Sequence, residues 1–98
     1  MEVEFDDKKL LRVFTDAQAT AGHGNAVDRG FRKVVGVILA ASDERDLRAL
    51  RGLGYERLKG NRSHEWAVRI NDQWRLIFQF RGQAPQKKIV LMGIEDYH

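Results

Sequence analysis

Two alternating runs set three residues apart, EWAVRI and WRLIFQF, constrain this chain more than any other feature. Strand side chains point to opposite faces with a period of two. Trp66, Val68 and Ile70 therefore share one face, and so do Trp74, Leu76, Phe78 and Phe80. Both apolar sets face a single core only if Ile70 pairs with Trp74 and Val68 with Leu76. A slip of one residue would turn every side chain over. The connection is then the loop Asn71-Asp72-Gln73, and Arg69 falls opposite Arg75 on the face that carries no apolar stripe. The rest of the chain has to cover the apolar face.

Its patterning suits that task. Val3 and Phe5 alternate with acids, a short strand pattern, and Asp6 or Asp7 can cap a helix that starts at Lys8. Leu10, Leu11, Phe14 and Ala17 then recur at helical spacing. The stretch TAGHGN, with two glycines, reads as a turn. A second helix is predicted over residues 26–41, with Val27, Phe31, Val34, Val35, Ile38 and Leu39 as its apolar stripe and Arg29, Arg32 and Lys33 off it. SDERDLRALRGLG fits two forms: a short capped helix, or an irregular arm anchored by Leu47 and Leu50. RGQAPQK holds the one proline and reads as a second hairpin turn. IVLMGI is apolar on both faces, as a central strand is. The expected architecture is α+β, in the order β-α-α-β-β-β. Two N-terminal helices pack on one face of a small, mostly antiparallel sheet, and residues 1–98 form one domain.

Charge narrows the class of partner. The formal net charge is only +3, but its distribution is uneven. Glu2, Glu4, Asp6 and Asp7 crowd the start. Arg57, Lys59, Arg62, Arg69, Arg75, Arg81, Lys87 and Lys88 face only Glu65 and Asp72 between residues 57 and 88. Such a density fits a polyanion, nucleic acid first; it also fits a solvated, charge-rich surface. No cysteine is present, so neither a disulfide framework nor a thiolate zinc site is available. The longest apolar run is far short of the ~20 residues of a membrane span, and the acidic N-terminal stretch is unlike a signal peptide. A soluble cytoplasmic protein without a membrane partner is the expectation.

Three groups of residues could carry chemistry. Like charges directly across a ladder destabilise it, so Arg69 and Arg75 either splay into water, are separated by an acid such as Glu65 or Asp96, or grip a phosphate through the guanidinium fork. The loop RLKGNRSHEW gathers Arg57, Lys59, Arg62 and His64 around Gly60-Asn61, either as an ordinary solvated turn or as a surface that tracks a phosphate backbone. The closing GIEDYH places Val90, Met92, Ile94, Asp96 and His98 on one side of a continued strand and Tyr97 on the other. It reads as a tail or, beside two arginine-bearing strands, as a proton-transfer group, since histidine titrates near neutrality. His23, His64 and His98 are scattered, and no His/Asp/Glu cluster has metal-ligand spacing. An arginine-rich sheet with one or two acid–base groups suits transesterification of RNA by its own 2′-hydroxyl. The substrate then brings the nucleophile, while the protein orients the phosphate and stabilises developing charge. DNA lacks that hydroxyl.

The residues RLKGNR…EWAVRINDQWRLIFQF…IEDYH resemble the HigB-type toxins of the RelE/ParE superfamily, the small toxic partners of bacterial type II toxin–antitoxin pairs. The resemblance is specific over residues 57–98; residues 1–56 agree in length and helix count. It implies a RelE-like fold and an endoribonuclease that needs no metal or cofactor and cuts mRNA in the decoding site of the 70S ribosome. It also implies a cognate antitoxin, often a helix-turn-helix protein of the HigA type. By position, Arg57, Lys59, Arg62 and Arg69 would bind RNA. Arg75 would stabilise transition-state charge. Asp96, Tyr97 and His98 would form the terminal catalytic group, with His98 moving a proton. Some relatives carry a histidine where this chain has Glu56, which then becomes a candidate general base if its pKa is raised. Ser63-His64 replaces small residues of the family loop. A non-catalytic RNA- or ribosome-binding relative and a ParE-like topoisomerase inhibitor are the alternatives on the same fold.

Overall fold

The computed structural model describes residues 1–97. It runs β1 (Glu2–Phe5), α1 (Lys8–Thr15), α2 (Asn25–Ala40), α3 (Glu44–Ala49), β2 (Glu56–Arg57), a 3₁₀ turn (Gly60–Arg62), β3 (Trp66–Arg69), β4 (Trp74–Arg81) and β5 (Lys88–Asp96). The order exceeds the expected one by α3 and by the two-residue β2. The strands lie side by side as β1-β5-β4-β3-β2. β1 runs parallel to β5, and the other three pairings are antiparallel.

The hairpin register follows the pattern. Val68 lies opposite Leu76 and Arg69 opposite Arg75. Asn71 closes the turn: its side-chain Oδ1 accepts from Gln73 N at 2.9 Å and Trp74 N at 2.8 Å, the local bonding for which Asn is favoured in turns.

The helices cover one sheet face. Phe31, Val35 and Ile38 from α2, Leu10 and Val13 from α1, and Leu47 from α3 join Val68, Leu76, Phe78, Ile89 and Leu91 in one buried cluster. Asp7 and Asp43 cap α1 and α3, accepting from Lys9 N at 2.9 Å and Arg45 N at 2.8 Å. The structure corrects several apolar assignments. Val13, not Leu11, completes the α1 stripe, and Leu11, Leu39 and Leu50 are exposed. Ala17 lies beyond the end of α1. Leu11 is the second of two adjacent leucines of which α1 buries one, and Ala17 and Leu50 fall past the ends of their helices. Helix α2 approaches the sheet at Gly30, where an added Cβ would stand 2.8 Å from Ile70 Cγ2.

One irregularity re-aims the end of the chain. Ile77 pairs with Gly93 but Phe78 pairs with Leu91, so Met92 is an extra residue in β5. Such a bulge shifts the phase of alternation. Ile89 and Leu91 therefore face the helices together with Ile94, and Val90 does not share their face as simple alternation predicted.

Candidate active site

Beyond the bulge, Glu95 is the cross-strand neighbour of Arg75, and Asp96 that of Trp74. Cross-strand partners share a face. Arg69, Arg75 and Glu95 thus form one row across the uncovered face. Glu56, Ala67, Ile77 and Gly93 form the next. Ala67 and Ile77 are buried at 1 % and 3 % exposure and floor a cleft of about 150 Å³ walled by Leu58, Arg62, Arg75, Glu95 and Tyr97.

The facing arginines are kept apart by the turn between them. Arg69 turns to the Asp72 carboxylate and donates to Asn71 O at 3.4 Å. Arg75 donates to the same Asn71 O at 2.8 Å and to Trp74 O at 3.3 Å. Its guanidinium then stacks on the Tyr97 ring, 4.0 Å from the centroid, a cation–π geometry. Among the described residues no carboxylate forms an ion pair with Arg75. The acid in the gap is Asp72, not Glu65 or Asp96.

Turn 71–73 also holds the last described residues. Tyr97 N donates to Gln73 O at 2.7 Å, and Gln73 Nε2 donates to Asp96 Oδ2 at 3.0 Å. Asn71 and Gln73 were legible only as loop residues, yet they set Arg75, Asp96 and Tyr97 relative to one another. His98 lies outside the described residues.

The loop before β3 forms the opposite wall. Leu58 N donates to Glu65 O at 2.9 Å and Glu65 N to Arg62 O at 2.9 Å. Gly60, at φ +67°, takes the left-handed conformation that glycine adopts without penalty. Arg62 Nε donates to Glu65 Oε1 at 2.7 Å, while its two Nη groups meet the Glu95 oxygens at 2.9 and 2.7 Å. These two carboxylates, Glu95 first, raise the pKa of Arg62. Burial pushes the Glu65 carboxyl up, but Arg62 and the Gln79 amide outweigh it and hold it below the usual carboxylate range. Gln79 and Glu95 were not singled out from sequence, and Glu65 was named there only as a possible acid between Arg69 and Arg75. For Glu95 the signal available was only an acid two residues before Tyr97; its phase with Arg75 is set by the bulge.

The other expected residues are dispersed. Lys59 is exposed on the loop and makes no ion pair among the described residues. Arg57 lies opposite Trp66, so it points to the helix-covered side. Its guanidinium sits 5.1 Å from the Trp66 ring and donates to Ser63 O, which places it outside the cleft. Glu56 stands at the sheet edge, in the row adjoining Arg75 but beyond the cleft wall.

A second polar cluster lies on the helix side. Asp28, 3 % exposed, accepts from Ala21 N at 2.9 Å. Burial pushes its carboxyl up, but the Ala21 N–H, the Thr20 hydroxyl and the Arg32 charge reverse this and leave it below its ordinary value. Arg32 Nε donates to Val13 O at 2.8 Å, and Nη2 reaches Asp16 O at 3.3 Å and Ala19 O at 3.0 Å. Its Nε and Nη2 donors thus hold the end of α1 and the α1–α2 loop. That loop carries His23 onto the Trp74 ring, centroids 4.2 Å apart, beside the start of β4. A cavity of about 660 Å³ lies at the far end under turn 82–87. Its charged side chains are already matched as Asp43–Arg45 and Glu44–Lys87.

A family model described as "RelE-like toxin of type II toxin-antitoxin system HigB" matches residues 3–98. The chain is 32 % identical over 80 residues to Toxin HigB-1 of Vibrio cholerae serotype O1, covering 82 % of this chain and 84 % of that protein. It superimposes on a YoeB/ParE toxin from Agrobacterium tumefaciens with a TM-score of 0.56 at 18 % identity, over the whole of both chains. That likeness concerns the fold.

Proposed function

We propose, from the premise that this chain belongs to the HigB-like toxins of type II toxin–antitoxin systems, that it is an endoribonuclease cutting mRNA on the 70S ribosome. Membership implies a cognate antitoxin as its partner; a helix-turn-helix antitoxin of the HigA type is part of the proposal. In the reaction, the 2′-oxygen of the RNA attacks the adjacent phosphorus, and the bond from phosphorus to the 5′-oxygen breaks. One protein group takes the 2′-hydroxyl proton, and another gives a proton to the departing oxygen. Charge accumulates on the phosphoryl oxygens between these events.

The observation that carries the reading is Arg75. Its guanidinium is half-buried, aimed by a backbone carbonyl and an aromatic ring, and unpaired with any described carboxylate. A fixed cation with spare donors in a cleft acts where negative charge develops, because it needs no reorganisation as the reaction proceeds. Tyr97 holds that guanidinium in place and offers a phenolic group. Asp96, tied to the Gln73 amide, steadies the terminal segment. His98 is assigned the proton donated to the 5′-oxygen, and Glu56 is the candidate base, with Arg62, Arg69 and Lys59 lying along the RNA backbone.

Induction in cells with mapping of mRNA 5′ ends tests this. Wild-type chain is expected to arrest growth with cuts phased to ribosomes. Arg75→Ala is expected to lose roughly 3–4 kcal/mol of transition-state stabilisation, about 10²–10³ in rate. His98→Ala and Glu56→Gln test the proton-transfer assignments. Growth arrest with intact mRNA would sink the nuclease reading.

A further inference from the structure

We infer that Glu95 is a built-in competitor of the RNA phosphate: its carboxylate occupies the Arg62 fork in the free chain and gives way to a phosphate when RNA binds. The inference rests on the nuclease reading above.

The geometry singles out Glu95 from its neighbours. Glu95 lies directly across from Arg75 in the ladder, yet its carboxylate forms its ion pair with Arg62. Both Glu95 oxygens face both Arg62 Nη groups, at 2.9 and 2.7 Å. That is the parallel two-bond contact a guanidinium makes equally with carboxylate or phosphate. The pair joins the loop wall to β5 along the cleft. Arg62 and Glu95 both line the cleft of about 150 Å³ beside Arg75, so the pair stands where a phosphate would enter.

The two acids on Arg62 differ in what they can release. The Glu65 side chain is 13 % exposed and also accepts from the Gln79 amide at 3.4 Å. It is anchored to the sheet and orients Arg62 through Nε. The Glu95 side chain is 45 % exposed and has no other hydrogen-bond partner among the described residues. An exposed ion pair is weakly held, and a displaced Glu95 is hydrated at once. Exchanging one anion for another at the fork leaves Arg62 with its charge matched and its Nε still fixed by Glu65. The freed Glu95 opens the wall beside Arg75, where the scissile phosphate would lie.

The test is a double-mutant cycle on binding of an uncleavable 2′-O-methylated oligoribonucleotide to the full chain, followed by anisotropy at low salt. Glu95→Gln is expected to tighten binding about two- to fivefold, the range spanned by an exposed ion pair. In an Arg62→Ala background the same change is expected to have no effect, because Glu95 acts through the fork. Asp6→Asn, an exposed acid away from the cleft, controls for net charge and is expected to match wild type. Unchanged binding by Glu95→Gln, or a gain that persists without Arg62, overturns the inference while the nuclease reading stands. A wild-type chain and a Glu95→Gln chain that both bind no oligonucleotide also overturn the inference; the nuclease reading, which places the cut on the ribosome, stands or falls by the mapping of mRNA 5′ ends. Circular dichroism on each variant confirms the fold, and Glu95→Asp, which keeps the charge but shortens the reach, is expected to fall between Glu95→Gln and wild type.

Discussion

The two faces of this sheet treat arginine in opposite ways. On the covered side, Arg32 donates to carbonyls of α1 and the following loop, and Asp28, which feels its charge, is buried and bonded to the Ala21 N–H. On the open side, Arg75 is aimed but not neutralised by any described carboxylate, and Arg62 is held by one fixed and one exposed acid. Burial makes an unmet polar group costly, so the covered side holds its charge through bonds to the backbone: Asp28 through the Ala21 N–H, Arg32 through Nε and Nη2. Solvent relaxes that demand on the open side, which leaves donors for a ligand. The comparison predicts a division of labour: covered-face changes should lower stability, and open-face changes should lower activity while the fold persists.

The largest effect expected on the covered face is Phe31→Ala. Phe31 is fully buried at the centre of the core, and truncation of such a ring costs about 3–5 kcal/mol. Chemical denaturation measures it. Arg75→Ala should leave that unfolding curve nearly unmoved while slowing cleavage by about 10²–10³. If Arg75→Ala unfolds as easily as Phe31→Ala, the two faces are not separable and the contrast fails.

Next in size is Asp28→Ala, which strands the Ala21 N–H and removes the charge facing Arg32, at a cost of roughly 2–3 kcal/mol. Its pH dependence has a fixed sign. The folded-state pKa of Asp28 lies below its ordinary value of 3.8, so the folded state favours the ionised form. The stabilisation is complete above the unfolded pKa and fades as pH falls through the lower folded value. The gap in stability between wild type and Asp28→Asn should therefore be constant near neutrality and close under acid. A gap that widens on acidification would reverse the assignment.

Gly30→Ala follows, at about 1–3 kcal/mol. The added methyl lands 2.8 Å from Ile70 Cγ2, so helix or strand must move, and overpacking of this kind is costly although alanine is the better helix former. A thermal melt that rises would show that the helix gain wins.

Much of this arrangement was legible in the residue pattern. The β3–β4 register followed from the need to put Val68 and Leu76 on one core. The facing of Arg69 and Arg75 came with it at no further assumption. What escaped was set by tertiary partners. The bulge at Met92 leaves only the adjacent Gly93 as a local mark, and a lone glycine does not say which residue is extra, so the phase of Glu95 and Tyr97 relative to Arg75 was not read by alternation. Arg57 carried the same charge as Arg62, but the turn geometry of residues 58–65 sends one to Trp66 and the other into the cleft. Asp28 sat on the α2 stripe three residues before Phe31, an acid in an apolar phase. Its partners, Ala21 and Thr20, belong to a glycine-containing loop whose path the sequence leaves open.

The smallest effect probes the like-charge pair itself. Asp72 forms the ion pair with Arg69, so Asp72→Asn leaves two guanidinium groups facing each other across the ladder. The Asp72 side chain is 93 % exposed, and water already screens most of its charge. The expected loss is therefore only about 0.2–1 kcal/mol at low salt. At 1 M salt the Debye length falls to ~3 Å, and the loss should vanish. Because Arg75 draws its position from Asn71 O and the Tyr97 ring rather than from Asp72, cleavage should be almost unchanged. A larger, salt-insensitive loss would mean that the repulsion of Arg69 and Arg75 is felt through a drier environment than their exposure implies. The open face would then share the strict charge accounting of the covered one.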